Sequence, residues 1–134
     1  MPHRTPLIIC DADGDQRELL VSVFELSGFR VFATDDPAAA LDHARVCLPA
    51  PVVLARITCH TQPSPAERLT TMIRATGGFE HLPIIVLTTD GHRPPPRTMR
   101  HPHTRFVLLP AEPASLVAQA LEMMAEQCAE ETRS

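Results

Sequence analysis

Lysine is missing from this chain: all 12 of its basic residues are arginine. Any contact that depends on an ε-ammonium is therefore closed to it, whatever the fold. Nor is there a run of about 18 apolar residues of the kind a membrane-spanning helix needs. The N-terminal MPHRTPLIIC holds only the short apolar run Leu7–Cys10 before Asp11, too little for the core of a secretory signal. Both absences predict a cytoplasmic chain with no membrane partner. The cysteines, Cys10, Cys47, Cys59 and Cys128, form no CxxC pair, so they are expected as buried small hydrophobes rather than disulfides or metal ligands. A formal net charge of -4 leaves no basic stripe for a phosphate backbone, which argues against nucleic acid as a direct partner. A glycine-rich phosphate loop and an ordered Ser/His/Asp set are lacking as well, which weighs against a small α/β enzyme of another family.

What is present suits one packed domain. Its 134 residues are 44% hydrophobic and 21% charged, ordinary globular usage. LIIC at Leu7–Cys10 has the all-apolar, β-branched character of a strand covered on both faces. Helical spacing follows in Leu19, Leu20, Val23, Phe24 and Leu26, with Asp13 and Gln16 placed as a cap and Gly28 as a stop. Arg30–Thr34 reads as the second strand, and Asp36-Pro37 as the capped start of a helix through Val46. VVLARI at Val52–Ile57 is a third strand, interrupted only by Arg56. Ser64-Pro65-Ala66-Glu67 has the form of a capping box, opening a helix that stops near Gly77-Gly78. Ile84–Thr88 is the fourth strand. In GHRPPPRTMRHPH after it, Pro94, Pro95, Pro96 and Pro102 leave room for one or two helical turns at most. Arg105–Leu109 is the fifth strand, and a final helix begins near Pro113. Glu126, Glu130 and Glu131 oppose the dipole of its last turns, so fraying is expected beyond Gln127.

Strands alternating with helices predict right-handed βαβ units and a parallel sheet. The expected organisation is a single domain over 1–134, with a core of about 6–127 and a frayed tail or linker start at 128–134. Function in an open sheet of this kind sits beyond the C-terminal strand ends. Those ends bring together Asp11, Ala12 and Asp13, then Arg56, then Thr88 and Thr89, then Leu109-Pro110.

In the order LIICDADGDQRELL, PVVLAR, LPIIVLTT and FVLLPAEPASL, the sequence resembles the receiver domain of bacterial two-component response regulators, from about Leu7 to Met124. The resemblance implies a flavodoxin-like α/β fold. It would be a doubly wound five-stranded parallel sheet of order 2-1-3-4-5 with five helices, the fourth short or broken. It also implies a pocket in which two acids after the first strand hold Mg²⁺ and an Asp ending the third strand accepts a phosphoryl group. A Thr or Ser after the fourth strand and a Lys after the fifth would contact the phosphoryl oxygens.

Set on those positions, Asp11 matches the first acid, but Ala12 stands at the second and Arg56 at the phosphoacceptor. Thr88 matches the hydroxyl, Leu109 replaces the Lys before Pro110, and Phe106 falls at the aromatic switch position. No shift of register restores the chemistry, because no Asp lies between Asp42 and Asp90. A guanidinium has no free lone pair with which to attack phosphorus. A pseudo-receiver is therefore expected: no catalytic residue, no metal, no cofactor, and a degenerate pocket in which Arg56 either turns back onto Asp11, and with it Asp13, or extends straight into solvent. Such a domain would serve as a protein–protein interaction or dimerisation module in signal transduction. Its partners would be a signalling kinase, a regulator, an output domain or a second copy of itself. The rival within signalling is a sensor of a small acidic ligand, held by Arg56 and Thr88. His101-x-His103, with His92 and His60, lacks Cys or acidic companions and reads as solvated loop histidines.

Overall fold

The computed structural model describes residues 5–47, 49–57, 65–89 and 99–133, with the side chains of 128–133 left aside. Its strands are β1 (Pro6–Cys10), β2 (Arg30–Thr34), β3 (Val52–Arg56), β4 (Ile84–Thr88) and β5 (Thr104–Leu108). Its helices are α1 (Gly14–Leu26), α2 (Pro37–Val46), α3 (Pro65–Arg74) and α4 (Pro113–Arg133). All neighbouring strands are parallel, in the order β2-β1-β3-β4-β5, as the resemblance implies.

The two-residue period of a strand divides the core into two layers. Ile8 and Cys10 of β1, with Val53, Ala55, Ile84 and Val86, face Ala40, Leu41 and Ala44 of α2 and Ala66, Leu69 and Ile73 of α3. Leu7 and Ile9, with Val52, Leu54, Ile85 and Leu87, face Leu20 and Phe24 of α1 and Leu116, Ala120 and Met123 of α4. β1 is buried along its whole length, which is why it contains no polar residue.

Local signals fix the helix ends. The Asp13 carboxylate accepts from the Asp15 and Gln16 N–H groups, and Asp36 accepts from Ala38 N–H ahead of Pro37. Gly28 ends α1 at φ +95°, and a Cβ there would meet nothing within 4 Å. Gly28→Ala should therefore cost about 1 kcal/mol through backbone conformation alone. A urea midpoint that falls at constant m would show this, and an unchanged midpoint would contradict it.

Several boundaries differ from expectation: β1 begins one residue earlier, at Pro6, and β3 ends one residue earlier, at Arg56. β5 begins and ends one residue earlier, at Thr104 and Leu108, so Leu109 lies just beyond the strand; its N–H still donates to the Thr88 carbonyl at 2.7 Å. α4 runs to Arg133, through the turns beyond Gln127 where fraying is expected. An unfavourable end charge costs only about 0.3–1 kcal/mol, and the composition of LEMMAEQCAEE favours helix. Finally, the described residues contain four helices; the short or broken fourth helix expected in the Pro94–Pro102 segment, like the Ser64 cap, falls on 90–98 and 58–64, outside them.

Candidate functional site

The chain reverses direction across the sheet between β1 and β3: β1 pairs with β2 on one side and with β3 on the other. The strand ends at that switch point are Asp11 and Arg56. Asp11 is 1% exposed, an unusual degree of burial for a carboxylate. Its Oδ1 accepts from the Asp13 N–H at 2.9 Å, and its own carbonyl accepts from Arg17 Nη1 at 2.8 Å. The turn after β1 is thus closed by its own first acid and by a guanidinium of α1.

Arg56, from the last position of β3, turns back over this turn. Its Nε lies 3.4 Å from Asp11 Oδ1 and its Nη2 lies 3.5 Å from Asp13 Oδ2. The side chain is 18% exposed, so it is packed across the strand ends rather than extended into solvent. Of the two dispositions open to Arg56, this geometry has the side chain over the turn. The contact to Asp11 is charge to charge, without hydrogen-bond direction. Among the described residues, Asp11 Oδ2 and Arg56 Nε have no hydrogen-bond partner.

Burial pushes the Asp11 carboxyl above the ordinary aspartate range, against the pull of the Asp13 N–H and of the Arg56 charge. Asp13, exposed, is held below that range, first by the Gln16 N–H it caps and in smaller part by Arg56. The two carboxylates under one guanidinium thus differ in kind: one is buried and reluctant to ionise, the other is solvated and ionised readily.

Around this pair, Ala12 is exposed and presents a methyl, Thr88 is half-buried at the end of β4, and Leu109 is half-buried beside it. The Leu109–Pro110 peptide is cis. Phe106 is half-buried and packs against the α2–α3 side of the core. Mg²⁺ prefers octahedral oxygen ligands and parts reluctantly with its water. Here it would find one buried carboxylate, already opposed by a fixed cation at 3.4 Å, and no second acid at position 12. The donor set does not suit that ion.

The remaining candidates resolve as follows. Cys10, buried, has its thiol pushed up to about 11 by burial and then by the neighbouring Asp11, so it stays protonated and unreactive at neutral pH. Cys10 and Cys47 are free and buried, while Cys59 and the Cys128 side chain lie outside the described residues. His60 and His92 lie outside them too. Among the described residues no helix is long and apolar enough to cross a membrane. Sequence reasoning missed Arg17 and Arg74, two guanidiniums that bond backbone carbonyls. No spacing rule marks such residues, because their acceptors are main-chain atoms that any sequence supplies.

No family model and no curated protein matches the chain. Solved structures do. A response regulator from Chloroflexus aurantiacus superposes with a TM-score of 0.76 at 21% identity, over 92% of this chain and 99% of that one. The receiver domain of a sensor histidine kinase from Pseudomonas aeruginosa, solved with a magnesium ion coordinated in its active site cleft, gives 0.75 at 16% identity, over 92% and 99%. The receiver domain of an HD domain-containing protein from Pseudomonas fluorescens gives 0.76 at 14% identity, over 100% and 96%. With five parallel strands in the order 2-1-3-4-5 and near-complete mutual coverage, this chain has the fold of a response regulator receiver domain.

Proposed function

We propose that the chain is a pseudo-receiver: a non-enzymatic domain of two-component-type signalling that takes no phosphoryl group and works by contact with another protein. The carrying observation is Arg56 at the end of β3, paired with both Asp11 and Asp13. Phosphoryl transfer is catalysed almost wholly by positioning and by neutralising charge on the phosphoryl oxygens. This pocket offers no carboxylate nucleophile at position 56 and no ammonium beside Pro110. The partner is a signalling kinase, a regulator or an output domain, with a second copy of the chain as the simplest alternative. The same ion pairs weigh against an acidic small ligand held by Arg56 and Thr88, since an incoming anion would have to displace Asp13.

Incubation with acetyl phosphate and Mg²⁺, followed by intact mass spectrometry, tests this reading. The wild-type chain and Arg56→Asp alone should both remain unmodified, because Ala12 and Leu109 persist. The triple variant Ala12→Asp, Arg56→Asp, Leu109→Lys should gain a Mg²⁺-dependent, acid-stable and base-labile adduct. Such an adduct on the wild-type chain would overturn the proposal.

A further inference from the structure

At the opposite end of the sheet from Arg56, three histidines from two connections meet. His81 precedes β4, and His101 and His103 precede β5. His81 Nδ1 lies 3.0 Å from His103 Nε2, with ring centroids 4.8 Å apart and planes at 83°. His101 Nδ1 accepts the His103 N–H at 3.1 Å, and these two rings are 5.5 Å apart. Both contacts constrain protons. A bond between two imidazoles needs a ring N–H on one and a bare nitrogen on the other, so the pair cannot be doubly protonated. An acceptor Nδ1 on His101 requires that ring to be neutral.

Among the described residues, charged groups reach the cluster from α3 and from the connection before β4. α3 supplies Arg74, whose Nη2 bonds Thr104 Oγ1 at 2.7 Å. The connection before β4 supplies Glu80, which faces His81 and whose Oε1 accepts the Gly78 N–H at 3.2 Å. The charges that bear on His101 are Arg74, His103 and His81, each of which opposes a further positive charge. Burial, first, and then those neighbours hold the His101 imidazole below its ordinary value. Among the described residues no group of three His, Cys, Asp or Glu could hold a metal ion, and a guanidinium beside the rings would repel one.

We propose that His81, His101 and His103 form a proton-operated latch, which fastens the turn leading into β5 near neutral pH and releases it in mild acid. The sign follows from the bonds. A histidine kept neutral by the fold contributes stability that is present above its unfolded value, about 6.5, and that is lost as pH falls through the lower folded value. Protonating His101 removes the acceptor for His103 N–H, and with it the tie that holds the His103 backbone where its ring meets His81. Two backbone bonds depend on the turn: Thr104 N–H to the His101 carbonyl and Ile84 N–H to the His103 carbonyl, each 3.0 Å. The second ties β4 to the approach of β5, so release would loosen the first rung between these strands while the Asp11–Arg56 end keeps its own contacts.

Amide hydrogen exchange of the full chain, corrected for intrinsic rates and referred to Ile9 in the central strand, reads the latch directly. Protection at Ile84 and Thr104 should fall about tenfold relative to Ile9 between pH 7.5 and 5.5. In the double variant His81→Gln, His101→Asn, which keeps acceptors that do not titrate, the ratio should be flat across that range. Nitrogen-15 shifts of the wild-type imidazoles provide the check that needs no variant: His101 Nδ1 should be unprotonated at pH 7.5. A constant protection ratio in the wild-type chain, or a proton on His101 Nδ1 at pH 7.5, would overturn the proposal.

Discussion

Replacing Arg56 with Met should destabilise the chain by about 3 kcal/mol at pH 7, and the loss should fade as the solution is acidified. The magnitude is that of breaking a buried ion pair from one side, which strands the other charge. The stranded charge is Asp11, 1% exposed and already pushed above the ordinary aspartate value of 3.8 by burial. Without the guanidinium its folded-state value rises further. A carboxyl raised by folding contributes stability below its unfolded value, and that contribution disappears as pH climbs through the folded value. The penalty in Arg56→Met is accordingly present at neutral pH and nearly absent close to pH 4. Adding Asp11→Asn, which keeps an oxygen for the Asp13 N–H, should return most of the stability at pH 7 by removing the charge. Urea unfolding of both variants at pH 7 and pH 4.5 decides the matter. If Arg56→Met unfolds like the wild type at pH 7, Arg56 resides in solvent and the pocket reading fails with it.

Arg74→Ala should cost a similar amount, about 3 kcal/mol, with a melting point lower by about 10 °C. This guanidinium lies at the last residue of α3. Its Nη1 donates to the Leu82 carbonyl at 2.9 Å and the Phe79 carbonyl at 3.2 Å, and its Nη2 to Thr104 Oγ1 at 2.7 Å. One planar group therefore joins α3, the connection to β4 and the first residue of β5. Burial lowers its own value to about 10, so it remains charged at neutral pH; the loss should be complete at pH 8 and somewhat smaller at pH 6, where the variant is relieved of the Arg74 charge that opposes a proton on His101. Arg74→Lys should recover less than half, because a single ammonium cannot span acceptors placed for a fork. Full recovery by Lys would mean that charge, and not geometry, is what the site uses.

How far the sequence discloses this molecule depends on where the information lies. β1 and β4 are short apolar runs with no polar interruption, and burial on both faces of a parallel sheet demands that; both are legible. Asp13, Asp36, Pro37 and Gly28 announce helix ends because capping and positive φ select residue types directly. Arg56 was conspicuous as a charge inside an apolar strand, and the fold brings it to Asp11 because β1 and β3 are neighbours. Its companion Asp13 follows from the turn. By contrast, β5 is displaced by one residue, since Thr104 and Leu109 fit either end of a strand equally well. His81 carries no local signal at all. Its partner is 22 positions away, and only the adjacency of the approaches to β4 and β5 brings the rings together. Arg74 is silent for a related reason: its acceptors are carbonyls, whose placement is a property of the chain path.

Arg56 also alters what the strand-end turn answers to. An ion drawn from solution occupies a site according to its concentration, and can be outcompeted or stripped away by a chelator. A cation carried on the backbone has no off-rate into the medium. Its grip on Asp11 and Asp13 is set by covalent tethering, and salt can screen it but cannot exchange it. On the pseudo-receiver reading proposed above, the conformation of that turn does not follow the supply of divalent metal, and a partner docking on this face would meet the same charge arrangement in metal-rich and metal-poor surroundings.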